Sequence, residues 1–501
     1  MFQHLLLPAL AGVCICSDVL KFPPWFKFGS ASSAYQVEGA WNVSDKGENR
    51  WDRLTHVSPQ VTSDHGNGDV ACDSYHLWRR DIEMAAELGL EFYRFSINWP
   101  RLLPSGFANY ISQDGKNYYS NLIDGLLEKR IEPVVTIYHN DMPQILEELG
   151  GWRNPLISDW FADYARVVFT LFGDRVKTWL TINEPLMECD WFYGAGPLGT
   201  GPTGADNIGS YLCSKHILMA HAKAWRIYDE EFRKKHNGKV SFSNHLLWFK
   251  PFSPEDEQLT ELVREFFSGR YSHPIFSNEG GWPPLVEEAL AEFSRKHGHN
   301  RPMLPPFTPE EIELVKGTYD YYAVNYYTTR RVRRERPGEH NTPNIFTYLP
   351  EFGAILDGDP AWDFGYHPAL GIVPEGLREQ LVWLKQKYGN FEVIITENGL
   401  SSHGHLLNDT KRISFIRKHM DQVLLAIKEG VNVTGYTYWS LMDDFEWIDG
   451  YNSGFGLYEV DFKDPLRTRT PRSSAQYYAE IIKHRTLNIS SMHNSDNHWE
   501  K

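Results

Sequence analysis

The stretch PVVTIYH at Pro133–His139 is followed by a helical pattern at Trp160–Phe172 and then by TWLTINE at Thr178–Glu184. The two outer segments are apolar almost throughout, which is typical of strands that are covered on both faces. A strand, a crossover helix and a second strand form the repeating unit of parallel α/β sheets. These residues therefore predict a parallel sheet covered by helices.

The same alternation continues along the rest of the chain. Six further segments have strand character: Lys27–Tyr35, Tyr93–Trp99, Val240–His245, Tyr319–Tyr327, Val393–Glu397 and Thr434–Leu441. Further helical patterns lie near Tyr75–Leu88, Tyr118–Lys129, His216–Phe232, Gly376–Tyr388, Ile413–Ile427 and Ser474–His484. Eight strands separated by helices predict a single (β/α)₈ barrel with long βα loops, for which His245–Tyr319 and Thr328–Val373 are the candidates. A doubly wound open sheet is the rival, but the sequence has neither a GxGxxG after a first strand nor a Walker motif.

The composition is that of an ordinary globular protein. Of 501 residues, 42% are hydrophobic and 23% are charged, which excludes disordered and low-complexity classes. Lys and Arg number 50 against 65 Asp and Glu, a net charge of −15, so nucleic acid is not expected as a partner. Aromatic residues make up 14% of the chain, which suits a large core and also suits stacking on sugar rings.

The chain begins with an apolar run from Leu5 to Cys16 that is too short to span a bilayer and fits the core of a signal peptide. We expect residues 1–17 to be removed, although a buried N-terminal strand is the alternative. The barrel is then expected over 18–487, followed by a polar tail over 488–501. No other run is long enough to cross a membrane, and a secreted protein is expected.

Removal of that segment leaves three cysteines, Cys72, Cys189 and Cys213, so at most one disulfide is expected and its pairing stays open. There is no CxxC pair, and no metal site is expected. Four N-x-Ser/Thr sequons suit a secreted glycoprotein and lie at Asn42, Asn408, Asn432 and Asn488.

Polar residues stand at the ends of nearly all the predicted strands. They are Gln36, Arg94, His139, Asn183 with Glu184, Asn325 with Tyr327, Glu397 with Asn398, and Trp439 with Glu446 and Trp447 shortly after it. One polar residue at a strand end is usually a solvated turn. Because a barrel carries its site at the carboxyl ends of its strands, we expect these residues to converge on one cavity.

Two of these residues are glutamates on different strands, Glu184 in TINEP and Glu397 in ITENG. Hydrolysis of a glycoside needs such a pair, with one carboxyl to protonate the leaving oxygen and one to attack or to activate water. A salt bridge is the alternative for either glutamate. The asparagines beside them favour a site for sugars, because amides hydrogen-bond hydroxyl groups without charge.

Five motifs together resemble glycoside hydrolase family 1, the family of β-glucosidases and myrosinases (thioglucosidases). They are AYQVEGA at Ala34–Ala40, YHNDMPQ at Tyr138–Gln144, TINEP, ITENG and WSLMDDFEW at Trp439–Trp447, in family order between Phe26 and about Arg472. The run NGDVACDSYH at Asn67–His76 and the signal segment are most similar to the secreted insect branch.

The resemblance implies a retaining double displacement on small β-glucosides, with no metal or organic cofactor. Glu397 would be the nucleophile and Glu184 the general acid and base. The sugar would be held by Gln36, His139, Asn183, Tyr327, Trp439, Glu446 and Trp447, while Arg94 and Asn325 would orient the nucleophile. Two carboxyls about 5 Å apart give retention of configuration. We expect Glu397 to be ionised and Glu184 to be protonated.

The chain departs from the family pattern at Asn140, where Trp is usual, and at Asp444, where Asn is common. The first change bears on sugar specificity. Plant myrosinases replace the acid glutamate by Gln, whereas Glu184 is present here. A thioglucosidase for sulfated substrates is the alternative function, and an inactive binding protein, which would usually lack one glutamate, is a further one.

An arginine cluster bears on that alternative. Arg330, Arg331, Arg333, Arg334 and Arg336 follow strand six, where a βα loop is expected. A solvated loop is the simpler interpretation. Because guanidinium binds planar oxyanions, Arg330 is the candidate contact for an anionic aglycone, while Glu188 and Asp190 would oppose an anion if they share the mouth.

Overall fold

The computed structural model describes residues 21–194, 198, 207–339 and 341–489. The predicted signal segment, residues 1–17, lies outside the described residues, as does all of the predicted tail beyond residue 489. Eight parallel strands form the centre of the described part: β1 Lys27–Ala31, β2 Phe92–Ser96, β3 Glu132–Tyr138, β4 Thr178–Asn183, β5 Lys239–Pro251, β6 Tyr322–Arg334, β7 Val393–Asn398 and β8 Val433–Trp439.

The eight strands close into a barrel. Each strand pairs in parallel with the next, β8 pairs with β1, and β7 pairs with both β6 and β8. The predicted (β/α)₈ barrel is confirmed. The register places Asn325 of β6 beside His245 of β5 on one side and beside Glu397 of β7 on the other, so polar residues of three strands lie at one level.

Helices surround the barrel because each presents an apolar stripe to it. The main helices are Ser74–Glu87, Gln113–Glu128, Ile157–Phe172, Ile208–Ile227, Glu257–Arg264, Arg270–Phe276, Pro374–Tyr388, Thr410–Lys428 and Ser473–His484. In Thr410–Lys428 the predicted stripe holds, since Ile416, Met420 and Val423 are fully buried.

Shorter elements lie in the connections. The helices are Ala34–Val37, Arg50–Val57, Trp99–Leu102, Gln144–Glu148, Pro185–Phe192, Arg233–His236, Pro284–Lys296 and Pro309–Val315. Single tighter or wider helical turns occupy Pro59–Val61, Gly151–Arg153, Tyr228–Phe232, Pro254–Asp256, Glu265–Gly269 and Trp447–Asp449. Small strands are Tyr348–Leu349, Ala354–Asp357, Asp363–Phe364, Gly371–Ile372, Tyr458–Val460 and Arg469–Pro471.

Several sequence-based strand boundaries are wrong, including that of the fifth strand, which continues past His245 to Pro251. The first strand ends at Ala31 rather than Tyr35, because the chain turns into the helix Ala34–Val37, which carries Gln36. The sixth strand continues to Arg334, so most of the arginine cluster lies on a strand and not in a loop. This extension is stabilised by antiparallel pairing with Ala354–Asp357, while Asp357 and Glu339 pair with Arg333 and Asp359 pairs with Arg331.

The cysteine pairing that the sequence left open is Cys189–Cys213, with a distance of 5.4 Å between the Cα atoms. This disulfide joins the helix after β4 to the helix Ile208–Ile227. Cys72 is a buried free thiol. Within the described ranges, no helix is long and apolar enough to cross a membrane.

Candidate active site

A cavity of about 270 Å³ opens at the carboxyl ends of the strands. Its lining includes seven residues from the sequence prediction: His139, Glu184, Tyr327, Glu397, Trp439, Glu446 and Trp447. Four more are joined to lining residues by hydrogen bonds: Gln36 to Glu446, Arg94 to Glu397, Asn183 to His139, and Asn325 to Glu184. The predicted site residues therefore come together around one cavity.

Glu397 is buried at the end of β7, where each of its oxygens accepts a hydrogen bond. Arg94 Nη1 donates to Oε1 over 2.6 Å, and the Tyr327 hydroxyl donates to Oε2 over 2.7 Å. Burial and the charge of Glu184 raise the pKa of Glu397 to about 7, although Arg94 and Tyr327 act in the opposite direction. Glu397 is thus held in one orientation by two donors, but the upward shift of its pKa is opposite to the expectation that this carboxyl is readily ionised.

Glu184 stands directly after β4 and has different partners. Its Oε1 accepts from Asn325 Nδ2 over 2.8 Å and lies 2.9 Å from Nδ1 of His245. Burial raises the pKa of Glu184, but His245, Asn325 and Arg94 more than offset this effect, so that the net shift is downward. This direction differs from the expectation that Glu184 is protonated in the free site, and the cause is His245.

Asn325 connects the two carboxyl sites. Its Oδ1 accepts from the hydroxyls of Ser243 and Thr396, and its Nδ2 donates to Asn183 Oδ1 and Glu184 Oε1. The two hydroxyl donors fix which way the amide points. Asn325 was expected beside Glu397, its partner in the strand register, but its side chain bonds Glu184 instead.

Gln36 and Glu446 form a second polar group at the cavity, together with Asp444. Gln36 Nε2 donates to Asp444 Oδ1 over 3.2 Å and to Glu446 Oε2 over 3.3 Å. Burial raises the pKa of Asp444 to about 8, and burial together with Asp444 raises that of Glu446. Two buried carboxyls beside one amide favour sharing of a proton between them.

His139 and its neighbour Asn140 bring unused polar atoms to the cavity. Asn183 Nδ2 donates to His139 Nε2 over 3.1 Å, which leaves Nδ1 as a donor. Within the part of the chain that the structure describes, His139 Nδ1 and Asn140 Oδ1 are buried without a partner. The imidazole ring also lies nearly parallel to Trp439 and Trp447, at angles of 20° and 15°. This corner can bind hydroxyl groups beside apolar ring faces.

The rest of the cavity lining is mostly apolar. Its side chains include Met187, Trp191, Phe192, Leu247, Phe346, Leu370, Ile448 and Phe455. The polar residues here are Arg330, Asn344, His367 and Asp449, of which Arg330 has only 8% of its surface exposed. Such a wall suits an apolar group that carries a polar or anionic substituent.

Three non-glycine residues of this lining have left-handed backbone: Asn140 at φ 63°, Glu184 at φ 46° and Trp447 at φ 51°. Residues other than glycine adopt this region at a cost of about 1–3 kcal/mol each, and they do so where the surrounding structure requires it. At Glu184 the turn separates β4 from the helix Pro185–Phe192.

A family model named glycosyl hydrolase family 1 matches residues 19–487. This chain belongs to glycosyl hydrolase family 1 and is a hydrolase. The family 1 chain is 44% identical to myrosinase 1 of the aphid Brevicoryne brassicae over 468 residues, covering 92% of this chain and 98% of the relative. It is 40% identical to the human cytosolic beta-glucosidase over 478 residues, covering 93% and 99%.

A solved structure of a rice beta-glucosidase in a covalent complex with glucose is 36% identical, with a TM-score of 0.83. That match covers 91% of this family 1 chain and 98% of the rice chain.

Sequence reasoning missed one functional candidate in this family 1 site, His245. It ends the predicted strand Val240–His245 and is therefore a polar residue at a strand end, like those that were selected. Its position in the sequence alone does not indicate a partner. The partner, Glu184, becomes its neighbour only when β4 and β5 pair.

Proposed function

We propose that this hydrolase is a retaining β-glucosidase that acts on small β-glucosides through a covalent glycosyl-enzyme intermediate. One observation supports this best: Glu184 after β4 and Glu397 on β7 line the same cavity. Arg94 and Tyr327 donate hydrogen bonds to Glu397. Asn325 and His245 contact Glu184. The glucose-bound rice relative belongs to the same family and also carries a covalent sugar.

In the first step, an oxygen of Glu397 attacks the anomeric carbon and the bond to the aglycone breaks. The aglycone takes the bonding electrons and a proton from Glu184. In the second step, water attacks the anomeric carbon, the bond to Glu397 breaks, and Glu184 accepts the proton of water. Arg94 and Tyr327 hold the attacking carboxylate in place during both steps.

The glucose unit is proposed to lie on Trp439 with Trp447 beside it, and its hydroxyl groups are proposed to bind Gln36, His139, Asn183 and Glu446. His139 Nδ1 and Asn140 Oδ1 provide a donor and an acceptor for sugar hydroxyls. Asn140 occupies the position where the family usually has Trp, so it exchanges a ring contact for a hydrogen-bond acceptor.

Replacement of the nucleophile tests the proposal. Glu397→Ala should abolish hydrolysis of a chromogenic β-glucoside, because covalent catalysis divides one difficult displacement into two easier ones. Azide should restore part of the activity and yield the glycosyl azide of inverted configuration. Near wild-type hydrolysis by this variant would exclude Glu397 as nucleophile, and no turnover of any β-glucoside by the wild type would exclude the function.

Thioglucosidase activity is the second candidate function, and Arg330 favours it. Arg330 lines the cavity, and among the described residues it forms no ion pair, whereas Arg331 and Arg333 pair with Asp359, Asp357 and Glu339. The two acidic residues expected to oppose an anion are neutralised, since Arg50 binds Glu188 and Arg270 binds Asp190. Hydrolysis rates on matched O- and S-glucosides, with and without a sulfate, decide between the two.

We also propose that the protein is secreted and glycosylated. The apolar leader supports this, as do the disulfide and the four sequons at Asn42, Asn408, Asn432 and Asn488, all of which have exposed asparagines. The human relative is named cytosolic, so secretion needs its own test. Expression in insect cells should give protein in the medium whose electrophoretic mobility increases after removal of N-glycans.

A further inference from the structure

His245 lies close to Glu184 and has little contact with solvent. It is 6% exposed, its Nδ1 lies 2.9 Å from Glu184 Oε1, and its ring lies over Tyr327 at an angle of 20°. The ring therefore has a fixed position beside the carboxyl that is proposed to act as acid and base.

The hydrogen bonds around Glu184 favour its anionic form. Asn325 must donate to Oε1, because its own Oδ1 is taken by two hydroxyl donors. Since Nδ1 of His245 lies against the same oxygen, Oε1 has two donors when the imidazole carries a proton there. Donors that converge on one carboxyl oxygen stabilise the carboxylate relative to the acid.

The charges around His245 favour the imidazolium. The titratable and charged groups that face it are Glu184 after β4, Tyr327 on β6, and Glu397 on β7 with its partner Arg94 from β2. The cation of Arg94 is bound to Glu397. Burial lowers the pKa of His245, but Glu184 and Glu397 together raise it by more, so the net shift is upward.

We propose that His245 is a positioning residue that holds Glu184 as the carboxylate, so that the site favours aglycones that leave as stable anions. This inference rests on the proposed function. A stable leaving group takes the electrons of the glycosidic bond as Glu397 attacks, and it departs without a proton. Glu184 is then already a base for the second step, in which it accepts the proton of the attacking water.

The experiment measures kcat/KM for a series of β-glucosides, from 2,4-dinitrophenyl to alkyl aglycones, as a function of pH. His245→Asn keeps an amide donor and removes the charge, while His245→Phe removes both. Once the cation is lost, the pKa of Glu184 rises toward that of Glu397, so the acidic limb for the alkyl glucoside should move upward by about one pH unit. Between the two limbs, kcat/KM for this substrate should rise about tenfold relative to the dinitrophenyl glucoside.

His236→Asn is the matched control, because His236 lies three residues before β5, at the opposite end of the barrel. It should change neither the acidic limb nor the ratio between the two substrates. An unchanged ratio and limb in both His245 variants would overturn the inference, as would an equal shift in the control. Absence of wild-type turnover on every glucoside would refute the proposed function instead, so the two failures are distinguishable.

Discussion

Replacement of Arg330 by Ala separates an aglycone contact from a surface charge. The guanidinium lines the cavity and is held by one hydrogen bond from Nη2 to the carbonyl oxygen of Ala369 over 2.8 Å. Its Nε is buried and, within the described residues, has no partner. Arg330 therefore has donors available for a sulfate or carboxylate on the aglycone.

The expected loss follows from the strength of such a contact. A hydrogen bond to a charged group contributes about 1.5–3 kcal/mol, which corresponds to about a 10- to 150-fold change in kcat/KM. Arg330→Ala should show this loss on an anionic β-glucoside and almost none on a neutral one, since both carry the same sugar. Arg331→Ala is the matched control, because that guanidinium pairs with Asp359 over 2.8 Å.

The assay compares kcat/KM for the two substrates at low and high salt. Exposed charges are screened over about 10 Å at 0.1 M salt, whereas a buried contact is screened much less. The difference between the substrates should therefore persist at high salt. Equal losses on both substrates, or a difference that disappears with salt, would place Arg330 among the surface charges and remove the main support for a thioglucosidase.

Three further predictions follow from the site and the disulfide. Glu184→Gln should slow cleavage of alkyl glucosides much more than that of dinitrophenyl glucosides, because only the former need a proton; equal losses across the series would contradict the acid role. For an activated β-glucoside, kcat/KM should rise with pH through about 7, because burial raises the pKa of Glu397 to about 7 and only the ionised carboxylate attacks. A value of kcat/KM that falls over this pH range would contradict the assignment of Glu397 as nucleophile. Removal of the Cys189–Cys213 disulfide by a double change to Ser should lower the free energy of unfolding by about 3.5 kcal/mol, from the entropy of closing a loop with a sequence separation of 24. Urea unfolding under non-reducing conditions measures that loss, and an unchanged midpoint would show that the bond constrains little.

The barrel is predictable from the sequence because buried parallel strands must be apolar on both faces, as in PVVTIYH and TWLTINE. The site is predictable for a related reason: a polar residue at the end of an apolar run, such as Glu397, has to serve a turn or a site. The hydrogen-bond partners of each side chain are harder to predict from the sequence. Asn325 donates a hydrogen bond to Glu184 rather than to Glu397, and His245 contacts the same carboxyl. Both contacts depend on the strand register and on the direction of the side chains.

The extent of the sixth strand shows a second limit. The run Arg330–Arg334 has the composition of a solvated loop, yet it continues the strand, because Ala354–Asp357 pairs with it and nearby carboxylates bind Arg331 and Arg333. A segment that forms a strand only by pairing with residues distant in the sequence has no local sequence pattern that predicts the strand. The function of Arg330 depends on this placement, since strand geometry directs it into the cavity while Arg331 pairs with Asp359.

The left-handed residues around the cavity bear on how this enzyme can be stabilised. Glycine adopts positive φ without steric penalty, so Asn140→Gly and Glu184→Gly relieve strain while they delete side chains that line the cavity. Selection for heat resistance alone would thus favour inactive chains at these positions. A library screened by thermal tolerance should accumulate glycine there, and one screened by turnover should retain the original residues, so the two screens together would identify which strained positions serve catalysis.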